Sequence, residues 1–124
     1  MASSEVFDMI IVGAGISGIG MAAKLAMNCP DKTYVMLDRR EQLGGTWDLF
    51  RYPGIRSDSD MHTFAYHFAP WRKENAFATA EEIRDYLGQV VADNHIAEKM
   101  RFGQHVQSAA WASALGLWTV KAKQ

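Results

Sequence analysis

The feature that most constrains this chain is the change of pattern at Gly13. Phe7 to Val12 is apolar and carries no charge after Asp8. Glycines follow at Gly13, Gly15 and Gly18, and then small and apolar residues recur at helical spacing: Ile19, Gly20, Ala22, Ala23 and Met27. Strand, tight glycine turn and helix, in that order, form the phosphate-binding start of a dinucleotide-binding βαβ unit. Gly13 permits a turn too tight for a Cβ, Gly15 lets the backbone approach a pyrophosphate, and Gly18 lets the helix lie close on the strand. The helix N-terminus adds free N–H groups and the positive end of its dipole.

The rest of a βαβ unit follows. Residues 7–12 read as a strand buried on both faces, because the apolar run does not alternate. The helix after Gly15 is expected to reach Met27 or Asn28, with Pro30 stopping it. Residues 33–37 form a second buried strand, set parallel to the first by a right-handed crossover. Asp38 closes that strand twenty positions after Gly18, where a carboxylate can accept hydrogen bonds from ribose hydroxyls. It also disfavours a 2′-phosphorylated ribose, since two anions would meet. The plainer alternative is a glycine-rich turn with Asp38 merely capping a strand.

Residues 39–70 show little regular pattern, and a stretch of that length inside a compact domain is usually functional. Gly44-Gly45-Thr46-Trp47 pairs glycines that let backbone approach a ligand with an indole able to cover a flat ring, or to serve as core. Arg51-Tyr52-Pro53-Gly54 suggests a turn, followed by Arg56 and Asp58 in an extended loop, whose plainer reading is a solvated surface pair. Residues 60–68 suit a short helix. Thr79 with Glu82 is a capping box, and Ile83, Tyr86, Leu87, Val90 and Val91 supply the apolar face of a helix ending near Asn94. Residues 100–102 suit a third parallel strand. Residues 106–111 and 117–123 suit a hairpin turning through Ser113-Ala114-Leu115-Gly116.

At 124 residues and a net charge of −1, the chain is at most one domain and carries no electrostatic footprint for nucleic acid. No apolar run approaches the ~20 residues of a membrane span. A single cysteine, Cys29, fits a reducing, cytoplasmic setting. The histidines His62, His67, His95 and His105 have no carboxylate or cysteine at metal-ligand spacing, so no metal site is expected.

Taken together, Gly13-x-Gly15-x-x-Gly18, Gly44-Gly45-Thr46-Trp47 and Arg51-Tyr52-Pro53-Gly54-x-Arg56-x-Asp58 resemble the N-terminal segment of Baeyer–Villiger monooxygenases, class B flavoproteins that use FAD and NADPH, with the ethionamide-activating subgroup nearest. Related flavin N-hydroxylating monooxygenases share a Gly-Gly-x-Trp element. The resemblance implies a partial Rossmann-like (GR2-type) FAD-binding α/β unit with an appended helix and β-hairpin and an incomplete parallel sheet. It implies that Gly13, Gly15, Ser17 and Gly18 bind the FAD pyrophosphate and Asp38 the adenosine ribose, where family members usually carry Glu. Thr46 and Trp47 would line the flavin side, and Phe64 replaces a flavin-contacting Tyr of some relatives. Asp58 corresponds to a catalytic-site acid that positions an arginine. Val106 would pass its backbone by the adenine. The implied reaction inserts oxygen beside a ketone carbonyl or oxidises sulfur through a flavin C4a-peroxide.

Several family parts are not found. No second strand-GxGxxG-helix pattern follows, so residues 1–124 are expected to be the N-terminal part of an FAD-binding domain, a fragment lacking the NADPH domain. In the doubly wound order 3-2-1-4 the first strand is central; without a fourth, residues 9–12 would be an open apolar edge of the kind soluble proteins seldom tolerate. The expected partner is the remainder of the FAD domain, in cis or as another chain, and the piece alone is expected to be inactive. The alternatives are a non-catalytic nucleotide-binding fragment and the N-terminus of a related flavin N-hydroxylating monooxygenase.

Overall fold

The computed structural model describes residues 4–124. Three parallel strands, β1 (Met9–Val12), β2 (Tyr34–Leu37) and β3 (Met100–Arg101), lie in the order β1-β2-β3. α1 (Ile16–Asn28) makes the crossover between β1 and β2. Register runs from Met9 opposite Tyr34 to Val12 opposite Leu37. A clasp pins its start: the Asp8 carboxylate accepts from the Thr33 N–H (2.8 Å) and hydroxyl (3.2 Å), and the Asp8 N–H donates to Thr33 Oγ1 (2.9 Å). Thr33 therefore serves the clasp, and β2 begins one residue later than the apolar run suggested.

All four residues of the central β2 are buried. β1 differs from expectation, for only Ile11 is buried and Val12 is 63% exposed. Among the described residues β1 has a strand neighbour on one side alone, and it is Ile11 that meets α1. The open edge inferred from the strand order is therefore present.

The main core lies on the face of the sheet that carries Tyr34 and Met36. Ile19, Ala22, Ala23 and Leu25 of α1 enter the core together with Ile83, Leu87, Val90 and Val91 of α4 (Ala80–Asp93), joined by Met36, Met61, Trp71 and Ile96. A fully buried Ile or Leu contributes roughly 1.5–3 kcal/mol through burial, so these helices are fixed by packing more than by propensity. α4 starts at the expected capping box, with Thr79 Oγ1 accepting from the Glu82 N–H and the Glu82 carboxylate from the Thr79 N–H, both at 3.2 Å.

The irregular stretch holds two single-turn helices, α2 (Thr46–Leu49) and α3 (Met61–Phe64). α3 starts at Asp60, whose side chain accepts from the Thr63 N–H, but it stops four residues short of the expected 60–68 helix. Beyond it the chain is committed elsewhere: the Tyr66 hydroxyl donates to the Ile16 carbonyl, while Tyr86 Oη accepts from the Tyr66 N–H (2.8 Å) and donates to the Ala69 carbonyl (2.5 Å). Arg56 is not in a free loop either; it bridges to Thr79 as an isolated antiparallel pair and lies over the Phe77 ring.

β4 (His105–Ala112) and β5 (Leu117–Lys123) form the expected hairpin, with an irregularity between Val106 and Ser108. Its turn closes through N–H groups of Leu115 and Gly116 on the Ala112 carbonyl. The Gly103 and Gln104 N–H groups bond the Arg40 and Asp38 carbonyls at 3.0 and 2.9 Å, which hangs the hairpin beside the end of β2.

Candidate nucleotide site

The first glycine turn is shaped by close approach. A Cβ on Gly18 would stand 2.0 Å from the Gly13 carbonyl oxygen and 3.4 Å from Ile11 Cγ2, so only glycine lets α1 seat this near β1. Gly13 differs from the expectation of a turn too tight for a Cβ: a Cβ there would meet nothing within 4 Å, and it is the φ of 108° that calls for glycine, while its N–H donates to the Leu37 carbonyl at 2.8 Å. At the start of α1 the N-cap is Gly15; no side chain caps the helix and no acid lies in its first turn. The first-turn N–H groups thus have no side-chain acceptor, and Ser17 is exposed among them. An uncapped, acid-free helix N-terminus is a ready anion site.

The second glycine pair closes against the first. Gly45 has φ 53°, and a Cβ there would come within 3.0 Å of Gly15 Cα. The Gly44 N–H donates to the Ala14 carbonyl at 3.0 Å. Two glycine turns from distant parts of the sequence therefore meet backbone to backbone beside the α1 N-terminus.

Asp38 reaches back to this turn. Its Oδ2 accepts from the Ala14 N–H at 2.7 Å and its Oδ1 from the Arg40 N–H at 2.8 Å. A carboxylate offers about four lone-pair sites, so acceptor capacity remains for a diol. Asp38 shares a cleft of about 210 Å³ with Gly13, Leu37, Arg39, His105 and Val106. Drug-sized ligand pockets run to roughly 300–1,000 Å³, so this one suits a single end of a dinucleotide, with the remainder lying over open surface.

The other candidates are placed differently. Trp47, half-buried in α2, packs edge-on against Phe64 with ring centroids 5.9 Å apart, and its carbonyl accepts from Arg84 Nη1 at 2.7 Å. Thr46 is exposed. Asp58 is exposed too, and among the described residues no hydrogen bond or ion pair joins it to Arg56 or to the other candidates. The structure thus brings Gly13, Asp38 and Val106 to one cleft and Trp47 to Phe64, and leaves Asp58 apart.

One residue of this region escaped the sequence reading. Asp48 is 2% exposed and gathers Arg40, Gln42 and Arg51 around its carboxylate. The signal available was an acid set between two arginines in an otherwise irregular loop. Burial on its own opposes the charge of Asp48, but hydrogen bonds from Arg40, Gln42 and Arg51 outweigh it and hold the carboxyl below its ordinary value. Among the described residues no group of His, Cys, Asp or Glu is arranged to hold a metal ion, and no helix is long and apolar enough to cross a membrane.

A parallel sheet, a glycine-shaped helix N-terminus and an acid at the end of the second strand define a dinucleotide-binding α/β unit. The family described as NAD(P)-binding Rossmann-like domain matches residues 11–87, and the chain belongs to it. Within that class its relatives are flavoenzymes. It is 52% identical over 114 residues to the Acinetobacter sp protein named "Probable FAD-binding monooxygenase AlmA", covering 92% of this chain and 23% of that protein. It is 49% identical over 117 residues to the FAD-containing monooxygenase EthA of Mycobacterium tuberculosis, covering 94% and 24% respectively. Among solved structures it is similar to a steroid monooxygenase bound to NADP (TM-score 0.86, 30% identity, 94% of this chain and 23% of that one). It is likewise similar to the cyclohexanone monooxygenase of Rhodococcus sp. Phi1 bound to NADP+ (TM-score 0.85, 33% identity, 97% and 23%). The chain spans about a quarter of the length of the proteins it matches.

Proposed function

We propose that this chain is the first part of the FAD-binding domain of an NADPH-dependent flavin monooxygenase of Baeyer–Villiger type, acting on a ketone or a sulfur substrate. The observation that carries the reading is the uncapped N-terminus of α1, with Gly15 and Gly45 in contact beside it and Asp38 in the adjoining cleft. That arrangement suits a pyrophosphate flanked by an adenosine, and the high identity to FAD-binding and FAD-containing monooxygenases favours FAD as its source.

In this reading Gly13, Gly15, Ser17 and Gly18 hold the pyrophosphate through backbone N–H groups and the helix dipole. Asp38 accepts from the ribose hydroxyls with the lone pairs that Ala14 and Arg40 leave open. Val106 borders the adenine. Thr46, Trp47 and Phe64 stand toward the isoalloxazine side, where the indole excludes water, and Asp58 is the acid reserved for an arginine outside residues 1–124. FAD supplies the redox and oxygen chemistry when bound; this chain's residues bind, orient and exclude water. The NADPH site and the remainder of the FAD domain would lie outside these residues, in a cytoplasmic protein, a setting the single free Cys29 supports.

Titration of the purified 124-residue chain with FAD and with NAD separates this reading from a non-catalytic nucleotide module. Quenching of the protein's tryptophan fluorescence is expected at lower concentrations of FAD than of NAD. Binding of NAD without FAD would overturn it.

A further inference from the structure

We propose that Asp48 is a positioning residue that holds the Gly44–Gly45 turn against the first glycine turn and so sets the width of the pyrophosphate cradle. The proposal rests on the dinucleotide reading above and extends it to a residue that never touches the ligand.

The geometry is that of a staple. Asp48 Oδ2 accepts from Arg40 Nε (3.0 Å) and Nη2 (2.8 Å), and Oδ1 accepts from Arg51 Nη2 (2.5 Å) and from Gln42 Nε2. Arg51 Nε also donates to the Asp48 carbonyl at 2.9 Å. Arg40 and Gln42 precede the glycine pair, whereas Asp48 and Arg51 follow it. One buried carboxylate thus draws together both ends of the loop that carries Gly44 and Gly45. The Asp48 N–H closes on the Gly45 carbonyl at 3.0 Å, and a Cβ on Gly44 would lie 3.0 Å from Asp48 Cβ, so the aspartate is seated directly on that pair.

Stability alone is a poor reason for such a group. A buried ion pair is often no better than a well-packed apolar replacement, because desolvation cancels much of the attraction. What a carboxylate with several fixed donors provides is placement. The glycine pair has one hydrogen bond of its own to the first turn, Gly44 N–H to Ala14 carbonyl, and it lies in a stretch with no strand or long helix to hold it. The Asp48 cluster supplies the missing constraint, and a preformed cradle binds its anion without first ordering a loop.

Asp48→Asn keeps the shape and removes the charge and one acceptor. In the 124-residue chain it should raise the FAD Kd about tenfold and speed amide exchange at Gly44 about tenfold relative to Met36 in β2, through loss of preorganisation. Thr79→Ala, which weakens the α4 cap, is the control for lowered stability and should leave both ratios unchanged. Exchange at Gly44 as slow as in the unmodified chain overturns the proposal, and so does unchanged FAD affinity. If the unmodified chain binds NAD but not FAD, the functional reading fails; if it binds neither, Gly44 exchange alone decides the role of Asp48. If Asp48→Asn does not fold, Arg51→Ala, at a half-exposed position, is read by the same two measurements.

Discussion

The glycine-turn half of the molecule and the β4–β5 hairpin are held by different forces. Around the turn, buried side chains from β2, α1 and α4 leave each element one position, Gly18 has no space for a Cβ, and one on Gly45 would be tight against Gly15 Cα at 3.0 Å. Along the hairpin only Val106, Ala112 and Val120 are partly buried, and the strands rely on their own ladder and a cross-strand pair, Trp111 with Trp118, with ring centroids 5.6 Å apart. An isolated two-stranded ribbon is marginal in water. The cleft is therefore built from one stiff wall, Gly13 and Asp38, and one soft wall, Val106.

The largest test of this contrast is Gly18→Ala. Its Cβ would meet the Gly13 carbonyl at 2.0 Å, so urea unfolding should show a loss above about 3 kcal/mol, in the range of backbone displacement; a loss under 1 kcal/mol, roughly a surface effect, would mean the stiff wall yields. Leu87→Ala removes a fully buried side chain of α4 and should cost about 2–5 kcal/mol by the same measurement.

Next comes pH. The Asp48 carboxyl is held below its ordinary value, so its contribution is present above the unfolded value of about 3.9 and is withdrawn as pH falls through the native one. The stability gap between the protein and Asp48→Asn should be flat near neutrality and close below roughly pH 4; a gap that widens on acidification would contradict the assignment. The smallest effect is reserved for the soft wall. Trp118→Ala should change global stability by no more than about 1 kcal/mol, while amide exchange in β5 accelerates and that in β2 does not.

Where side-chain period alone sets local structure, the elements were legible. The helix from Ile16, the Thr79 capping box and the hairpin turn at Ser113–Gly116 follow from spacing and local chemistry that need no distant partner. Burial of β1 was misread because an apolar run says what a strand tolerates, whereas exposure depends on how many neighbours it has. The 60–68 helix failed for a related reason: Tyr66 and Tyr86 have tertiary hydrogen bonds that outweigh the local pattern. In the candidate site, Gly13 and Asp38 were legible from spacing, and Val106 only from family resemblance. Asp48 was not legible, because its donors Arg40, Gln42 and Arg51 become a cluster only once the loop is folded.

The clasp between Asp8 and Thr33 bears on how the sheet finds its alignment in time. β2 is buried on both faces, so a slip of one residue would exchange apolar side chains for apolar side chains, and burial offers little correction there. The information that selects one alignment is concentrated at the strand ends, in Asp8 with Thr33 at one and the Gly13 N–H on the Leu37 carbonyl at the other. Pairing parallel strands across a helix is intrinsically slow. Asp8→Ala should therefore lengthen the search for the native alignment, visible in refolding rate, well beyond what an exposed hydrogen bond would suggest at equilibrium.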